Sequence, residues 1–144
     1  MPKIKIALPE KFFDVPISIP VRITDINYGN HVGNDSLVSI IHEARMKLLQ
    51  HFRYTELNIE GAGLIMSALV VEFKSESFYN DVIDVKIGCL DVSRVSFELF
   101  YRLSTTRNEK EIIIANAQTT MVCFDYKVKK VVLIPYKLNE VLLS

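Results

Sequence analysis

An excess of one charge is missing from this sequence. Its 17 Lys and Arg balance 17 Asp and Glu, so it lacks the basic surplus that carries most nucleic-acid binding. Cysteine is scarce too. Cys89 and Cys123 are too few for a disulfide framework and are not spaced as metal ligands, so no metal centre is expected. Both stand inside apolar runs, where a free thiol behaves as a small buried hydrophobe. No apolar run reaches the roughly 18–20 residues that cross a bilayer. Met1 to Phe13 carries neither an uninterrupted apolar stretch nor a small-residue cleavage site. These absences predict a cytoplasmic protein with no membrane or nucleic-acid partner. Linkers, low-complexity tracts and internal repeats are also wanting.

What is present is ordinary globular material, 49% hydrophobic and 24% charged. A chain of 144 residues fits a single domain over 1–144 and suffices to bury one core. One long helical pattern runs from about Asp35 to Phe52. Leu37, Ile40, Ile41, Ala44, Leu48 and Phe52 share a face, with Val38 and Leu49 on its shoulder. Asn34 reads as the N-cap, and Asp35 places a negative charge where the helix dipole favours one.

Strand patterns surround that helix. Ile17 to Thr24 precedes it as a first strand, and Gly61 and Gly63 punctuate before a long strand from Leu64 to Lys74. Phe78 to Asp81 reads as a turn. In the next strand Ile83, Val85 and Ile87 alternate with Val82, Asp84 and Lys86. Phe97, Leu99, Tyr101 and Leu103 alternate with Ser96, Glu98, Phe100 and Arg102, the pattern of a half-buried strand. Thr105 to Lys110 reads as a turn, followed by a strand from Glu111 to Asp125 with Ala115, Ala117, Thr119, Met121 and Cys123 on one face. Lys127 to Lys130 makes a basic turn, and Pro135 opens a terminal helical turn. The order predicts an α+β fold in which a curved antiparallel sheet wraps one long helix. The open edges and outer face predict self-association.

Chemistry concentrates between the first strand and the helix. Asp25, Asn27, Asn30, His31, Asn34 and Asp35 stand there among Gly29 and Gly33. The helix start offers unpaired N–H groups to a carbonyl oxygen. An imidazole or a carboxylate handles a proton near neutral pH, and glycine lets backbone approach a ligand. The same residue types also serve as ordinary turn and cap formers.

Val21-Arg22, Asp25-Ile26-Asn27 and Asn30-His31-Val32-Gly33-Asn34, followed by Glu43-Ala44-Arg45 in the helix, resemble the hotdog-fold acyl-CoA thioesterases, in their 4-hydroxybenzoyl-CoA thioesterase-like branch. Gly63 to Met66 and Met121 to Asp125 resemble that family's second and fifth strands, so the likeness spans nearly the whole chain. It implies a hotdog fold, a homodimer or homotetramer, and hydrolysis of an acyl-CoA or acyl carrier protein thioester. CoA then enters as part of the substrate, with no other cofactor. The ligand is implied to bind where two protomers meet, with the thioester carbonyl at the helix start near Asn34 and Asp35. The acyl tail is implied along Ile41, Ala44, Leu64 and Met66, with Arg107, Lys129 and Lys130 toward the CoA phosphates.

One position departs from the family pattern. Its second Asp, the usual nucleophile or base, is Asn27 here, and an amide neither attacks a thioester nor accepts a proton from water. The remaining base candidates are His31, Asp25, Glu43 and Asp35. His31 is preferred because an unperturbed imidazole titrates at about 6.5. Asp25 either orients it or anchors a turn. Glu43 belongs either to the site or to an i,i+4 pair with Lys47. His42 is expected at an interface or in the core rather than in catalysis. Two other readings stay open: a hotdog enoyl-thioester hydratase or dehydratase, for which Asp25, Asn27 and His31 stand in a similar order, and a non-catalytic acyl-CoA-binding protein, for which Asn27 is the argument.

Overall fold

The computed structural model describes residues 4–144. Its elements run β1 (Ser18–Pro20), α1 (Asn34–His51), β2 (Gly63–Phe73), β3 (Val82–Leu90), β4 (Ser96–Arg107), β5 (Lys110–Asp125), β6 (Lys130–Val131) and α2 (Tyr136–Leu143). The strands form one antiparallel sheet in the order β1-β3-β4-β5-β2, and β6 adds to β5. The expected α+β arrangement is therefore present, with four long strands: short turns join β3 to β4 and β4 to β5, whereas residues 74–81 cross from β2, at one end of the sheet order, to β3, which it does not pair with.

The amphipathic stripe of α1 drives its packing. Leu37, Ile40, Ile41, Ala44, Leu48 and Leu49 are all buried, and they share one cluster with Ile83, Val85, Ile87, Phe97, Leu99, Tyr101 and Leu103 from the inward-facing positions of β3 and β4. Ala115, Ala117, Thr119, Met121 and Cys123 line the inward face of β5 and are closed to solvent, as their shared face predicts.

Four local expectations change. The first strand shrinks to β1, because Pro20 has no N–H to donate and the chain then enters a single 3-10 turn at Ile23–Asp25. Asn34 is the first residue inside α1, not its cap. Gly33 takes the cap position in extended backbone (φ −72°, ψ 157°), and no side chain caps the helix. Thr105 is not in a turn: β4 runs on to Arg107, and the buried Thr105 hydroxyl donates to the Val82 carbonyl at 2.8 Å. Phe100 points to the outer face yet is buried. It pairs across the sheet with Gly88, on which the N-terminal segment lies: a Cβ at Gly88 would meet Pro9 Cγ at 2.6 Å and the Lys11 carbonyl at 2.7 Å. The chain thus covers part of its own outer face.

Beyond the core stripe, α1 carries a buried polar network. Arg45 Nε donates to Glu56 Oε2 at 3.1 Å and its Nη1 to the Tyr101 hydroxyl at 3.2 Å, and that hydroxyl lies 2.8 Å from Thr119 Oγ1. Burial alone would weaken the Arg45 charge, but Tyr101 and Glu56 more than offset it. His42 is half exposed, so it lies outside the core, and it sits 2.6 Å from Glu56 Oε1. Among the described residues no helix is long and apolar enough to cross a membrane.

Candidate functional site

The loop ahead of α1 is a small hairpin. Ile26 and Val32 form an isolated antiparallel bridge, and the Asn27 amide donates to the His31 carbonyl at 2.9 Å. Asn30 turns the chain with φ 63°, a left-handed conformation that Asn tolerates. Asn27 Oδ1 accepts the Gly29 amide at 2.8 Å. Asn27 and His31 flank the same spot: a Cβ at Gly29 would lie 3.2 Å from His31 Nε2 and 3.3 Å from Asn27 Oδ1. The hairpin is tied down at both ends, by the Gly33 amide to the Asp25 carbonyl at 3.0 Å and by the Val32 amide to the Ser77 carbonyl at 2.8 Å.

His31 Nδ1 lies 3.1 Å from the Val32 carbonyl. A carbonyl only accepts, so Nδ1 carries the proton and the neutral ring keeps its lone pair on Nε2. That nitrogen is 4.0 Å from Glu76 Oε1. Both side chains open on a cavity of about 240 Å³, walled by His31, Val32, Asn34 and Leu37 on one side and by residues 73–77 and Ile114 on the other. At its edge begins α1. The first intrahelical bond there runs from the Leu37 amide to the Gly33 carbonyl, which leaves the amides of Asn34, Asp35 and Ser36 without an intrahelical acceptor. Asp35 curls back over the helix start, its Oδ1 2.7 Å from where a Gly33 Cβ would stand.

The connection between β2 and β3 supplies the opposite wall and is held by a clamp. Arg107 Nη2 donates to Asp81 Oδ2 at 2.6 Å and to the Glu76 carbonyl at 2.7 Å, and Asp81 also accepts from Ser77 Oγ and the Phe78 amide. Burial pushes the Asp81 carboxyl up, but these donors outweigh it and hold it below its ordinary range. Arg107 is therefore committed inside the protein rather than turned outward to phosphates, whereas Lys129, in the turn before β6, and Lys130, which opens β6, are exposed.

The other anticipated residues scatter. Asp25 is buried, and its carboxylate accepts from the Arg22 amide at 2.8 Å and from the Arg22 guanidinium, so it anchors the turn and does not reach His31. With Ser39, Glu43 and Lys47 it lines a separate cleft of about 220 Å³. Among the described residues Glu43 makes no ion pair, with Lys47 or any other cation. The supposed acyl path is not open: Ile41, Ala44 and Leu64 are 1%, 0% and 3% exposed because they pack in the core, while Met66 sits exposed beside the bulge in β2. Burial pushes the Cys89 thiol up to about 12 and the Cys123 thiol up to about 11, so neither offers a thiolate at neutral pH. Among the described residues no group of three or more His, Cys, Asp or Glu is placed to hold a metal ion.

Sequence reasoning missed Glu76 and Ser77. They lie in the polar run that follows β2, which reads as any surface connection, and only the long-range pairing of β2 with β5 carries that run to the hairpin.

Solved structures share this architecture. A 1,4-dihydroxy-2-naphthoyl-CoA thioesterase from Synechocystis superposes with a TM-score of 0.79 at 19% identity, covering 90% of this chain and 96% of its own. A DHNA-CoA thioesterase from Staphylococcus aureus gives 0.75 at 16% identity, covering 88% and 85%. An Asp-to-Asn variant of 4-hydroxybenzoyl-CoA thioesterase, complexed with 4-hydroxybenzoyl-CoA, gives 0.78 at 15% identity, covering 89% and 97%. At such identities the likeness establishes the fold, which is the hotdog fold. No curated protein matches by sequence. The thioesterase-like superfamily model, however, matches residues 21–142, from just after β1 to the last turn of α2, and the chain belongs to that superfamily.

Proposed function

We propose that this protein hydrolyses an acyl-CoA thioester to the free acid and CoA, with His31 as the general base. One observation carries the reading: the free Nε2 of His31 and the unpaired amides that open α1 border the same cavity. The thioester carbonyl oxygen seats against the amides of Asn34 and Asp35, where developing negative charge meets the helix start. His31 Nε2 draws a proton from water as the water oxygen bonds to the carbonyl carbon. The tetrahedral intermediate then collapses, the C–S bond breaks, and the departing sulfur takes the proton from the imidazolium. Glu76 opposes the positive charge that the ring carries between those steps. Water is the only co-reactant, and the CoA moiety belongs to the substrate. An acyl carrier protein thioester offers the same reacting atoms.

The protein acts as a homo-oligomer in this reading. β2 ends the sheet with one side unpaired, and Met66 and Phe73 on it are about half exposed. The asparagine at position 27 favours a second reading, acyl-CoA binding without turnover. A thiol-release assay with purified protein over short, long and aromatic acyl-CoAs separates them. Release of CoA that falls at least tenfold in His31→Ala supports hydrolysis. Saturable binding without release establishes the second reading, and loss of crotonyl-CoA without free thiol points to hydration instead.

A further inference from the structure

We propose that the surface of residues 127–137 docks on an anionic lipid bilayer, a peripheral contact that lays the β5–β6 turn and the start of α2 among the headgroups. The segment holds Lys127, Lys129, Lys130 and Lys137 and no acidic residue. Asp125, the acid just before it, is taken up by the turn: its Oδ1 accepts the Lys127 and Val128 amides at 2.8 and 3.2 Å. All four lysines are exposed, and among the described residues none of them is in an ion pair. In α2 the lone acid is Glu140, and Arg94 beside that helix offsets it in sign. The whole chain is balanced at 17 charges of each sign, so this surplus leaves the remainder net negative. An anionic surface therefore attracts this end of the molecule and repels the rest.

Apolar side chains stand between the charges. Val128, Val131 and Leu133 are each more than half exposed, and Tyr136 is 76% exposed. Val132 and Ile134 turn inward onto the core, so the alternate positions Val131 and Leu133 turn out. Leu133 and Tyr136 share an open groove with Leu143 and Arg94. Residues 126–131 are exposed at every position, so the tip projects into solvent. Such a tip suits the boundary between headgroups and acyl chains, where ammonium groups stay at the phosphates while valine, leucine and tyrosine sink in. A lipid interface adapts to it without a matching cavity, which favours it over an acidic protein. A peripheral contact needs no spanning run, the feature on which the expectation of no membrane partner rested.

The surface is clear of the edge assigned to self-association. Phe124 pairs with Gly63 of β2 on one side and with Val131 of β6 on the other, so β6 lies across β5 from that edge. Tyr126, whose hydroxyl donates to the Leu64 carbonyl, is left out of it. Measured along β5, the turn is on the order of 35 Å from Ile114 at the cavity. The proposal thus stands apart from the hydrolytic reading.

The test is sedimentation of the purified chain with vesicles of phosphatidylcholine alone or with one-third phosphatidylglycerol, at low and at physiological salt. Binding is expected to the anionic vesicles only, weakening at least tenfold as salt rises. Lys127→Gln, Lys129→Gln and Lys130→Gln combined are expected to weaken it at least tenfold at low salt. Val128→Ser with Leu133→Ser is expected to weaken it at least threefold and to keep the salt dependence. Lys11→Gln, Lys47→Gln and Lys86→Gln combined remove the same charge from exposed positions elsewhere and are expected to change binding less than twofold. No binding to anionic vesicles, or equal binding to neutral ones, overturns the proposal. So does a loss in the control as large as in the first variant, or either patch variant binding like the unaltered chain. Retention of polyglutamate or free CoA in place of the vesicles assigns the lysines to a soluble anion and overturns it as well.

Discussion

His31 Nε2 and Glu76 Oε1 stand 4.0 Å apart, brought together from opposite flanks of the α1–β2 unit by a backbone bond between Val32 and Ser77. The imidazole is oriented from behind by the Val32 carbonyl and faces a carboxylate in front. This supplies what the amide at position 27 does not, a proton acceptor with a charge to steady its protonated form.

That pairing predicts the order of effects. His31→Ala is expected to lower kcat at least tenfold, since a positioned general base contributes at least about that much. Its ring is partly solvent-exposed and outside the core, so thermal stability should hardly change. Glu76→Gln should reduce kcat less, and adding it to His31→Ala should cost nothing more, because Glu76 acts through His31. Additive losses in the double variant would separate the two residues.

Asn27→Asp should preserve or raise hydrolysis. Asn27 Oδ1 accepts the Gly29 amide, and a carboxylate oxygen accepts the same bond, so the hairpin keeps its shape. The change places a second acidic group against the His31 ring, on the far side of Gly29. A steady-state comparison on one acyl-CoA decides the matter, and a clear loss would assign the amide itself a role.

Much of this was readable from residue order, and the failures have physical causes. The α1 stripe and the alternation in β3 and β4 encode burial directly, because side-chain period follows backbone geometry. Periodicity marks a buried face without saying what buries it; the family resemblance implies an acyl tail along Ile41, Ala44 and Leu64, and in the structure all three pack in the core. Thr105 misled because a hydroxyl reads as polar, though the Val82 carbonyl satisfies it inside the sheet. The loop chemistry at Asn27, His31 and the start of α1 was legible as a local cluster. Glu76 and the Arg107–Asp81 clamp were not, since they depend on strands meeting across the sheet.

The Arg45–Tyr101–Thr119 chain invites a stability test. Tyr101→Phe removes a hydroxyl that serves two buried partners, Arg45 Nη1 and Thr119 Oγ1. Leaving them short of a partner should cost about 1–3 kcal/mol, seen as a lower urea midpoint with unchanged slope. Thr119→Val combined with Tyr101→Phe should cost less than the sum of the two, because the second change removes a group the first had stranded.

The clamp behind Glu76 makes stability depend on pH in a definite direction. Asp81 is held below its ordinary carboxylate range despite burial, chiefly by Arg107, then by the Phe78 amide and Ser77. A carboxyl whose folded pKa is depressed stabilises the protein fully above the unfolded value of about 3.9, and that contribution disappears as pH falls through the folded pKa. Asp81→Asn should therefore cost about 1–2 kcal/mol at pH 7, as expected for charged hydrogen bonds at a partly buried site. The difference from the unaltered protein should narrow below pH 4, as the native carboxyl takes up its proton. Urea titrations of both proteins from pH 7 down to pH 3 measure this. A gap that stays constant over that range would mean the clamp holds by shape rather than by charge, and Arg107 would then be free to lose its partner without loosening the wall that carries Glu76.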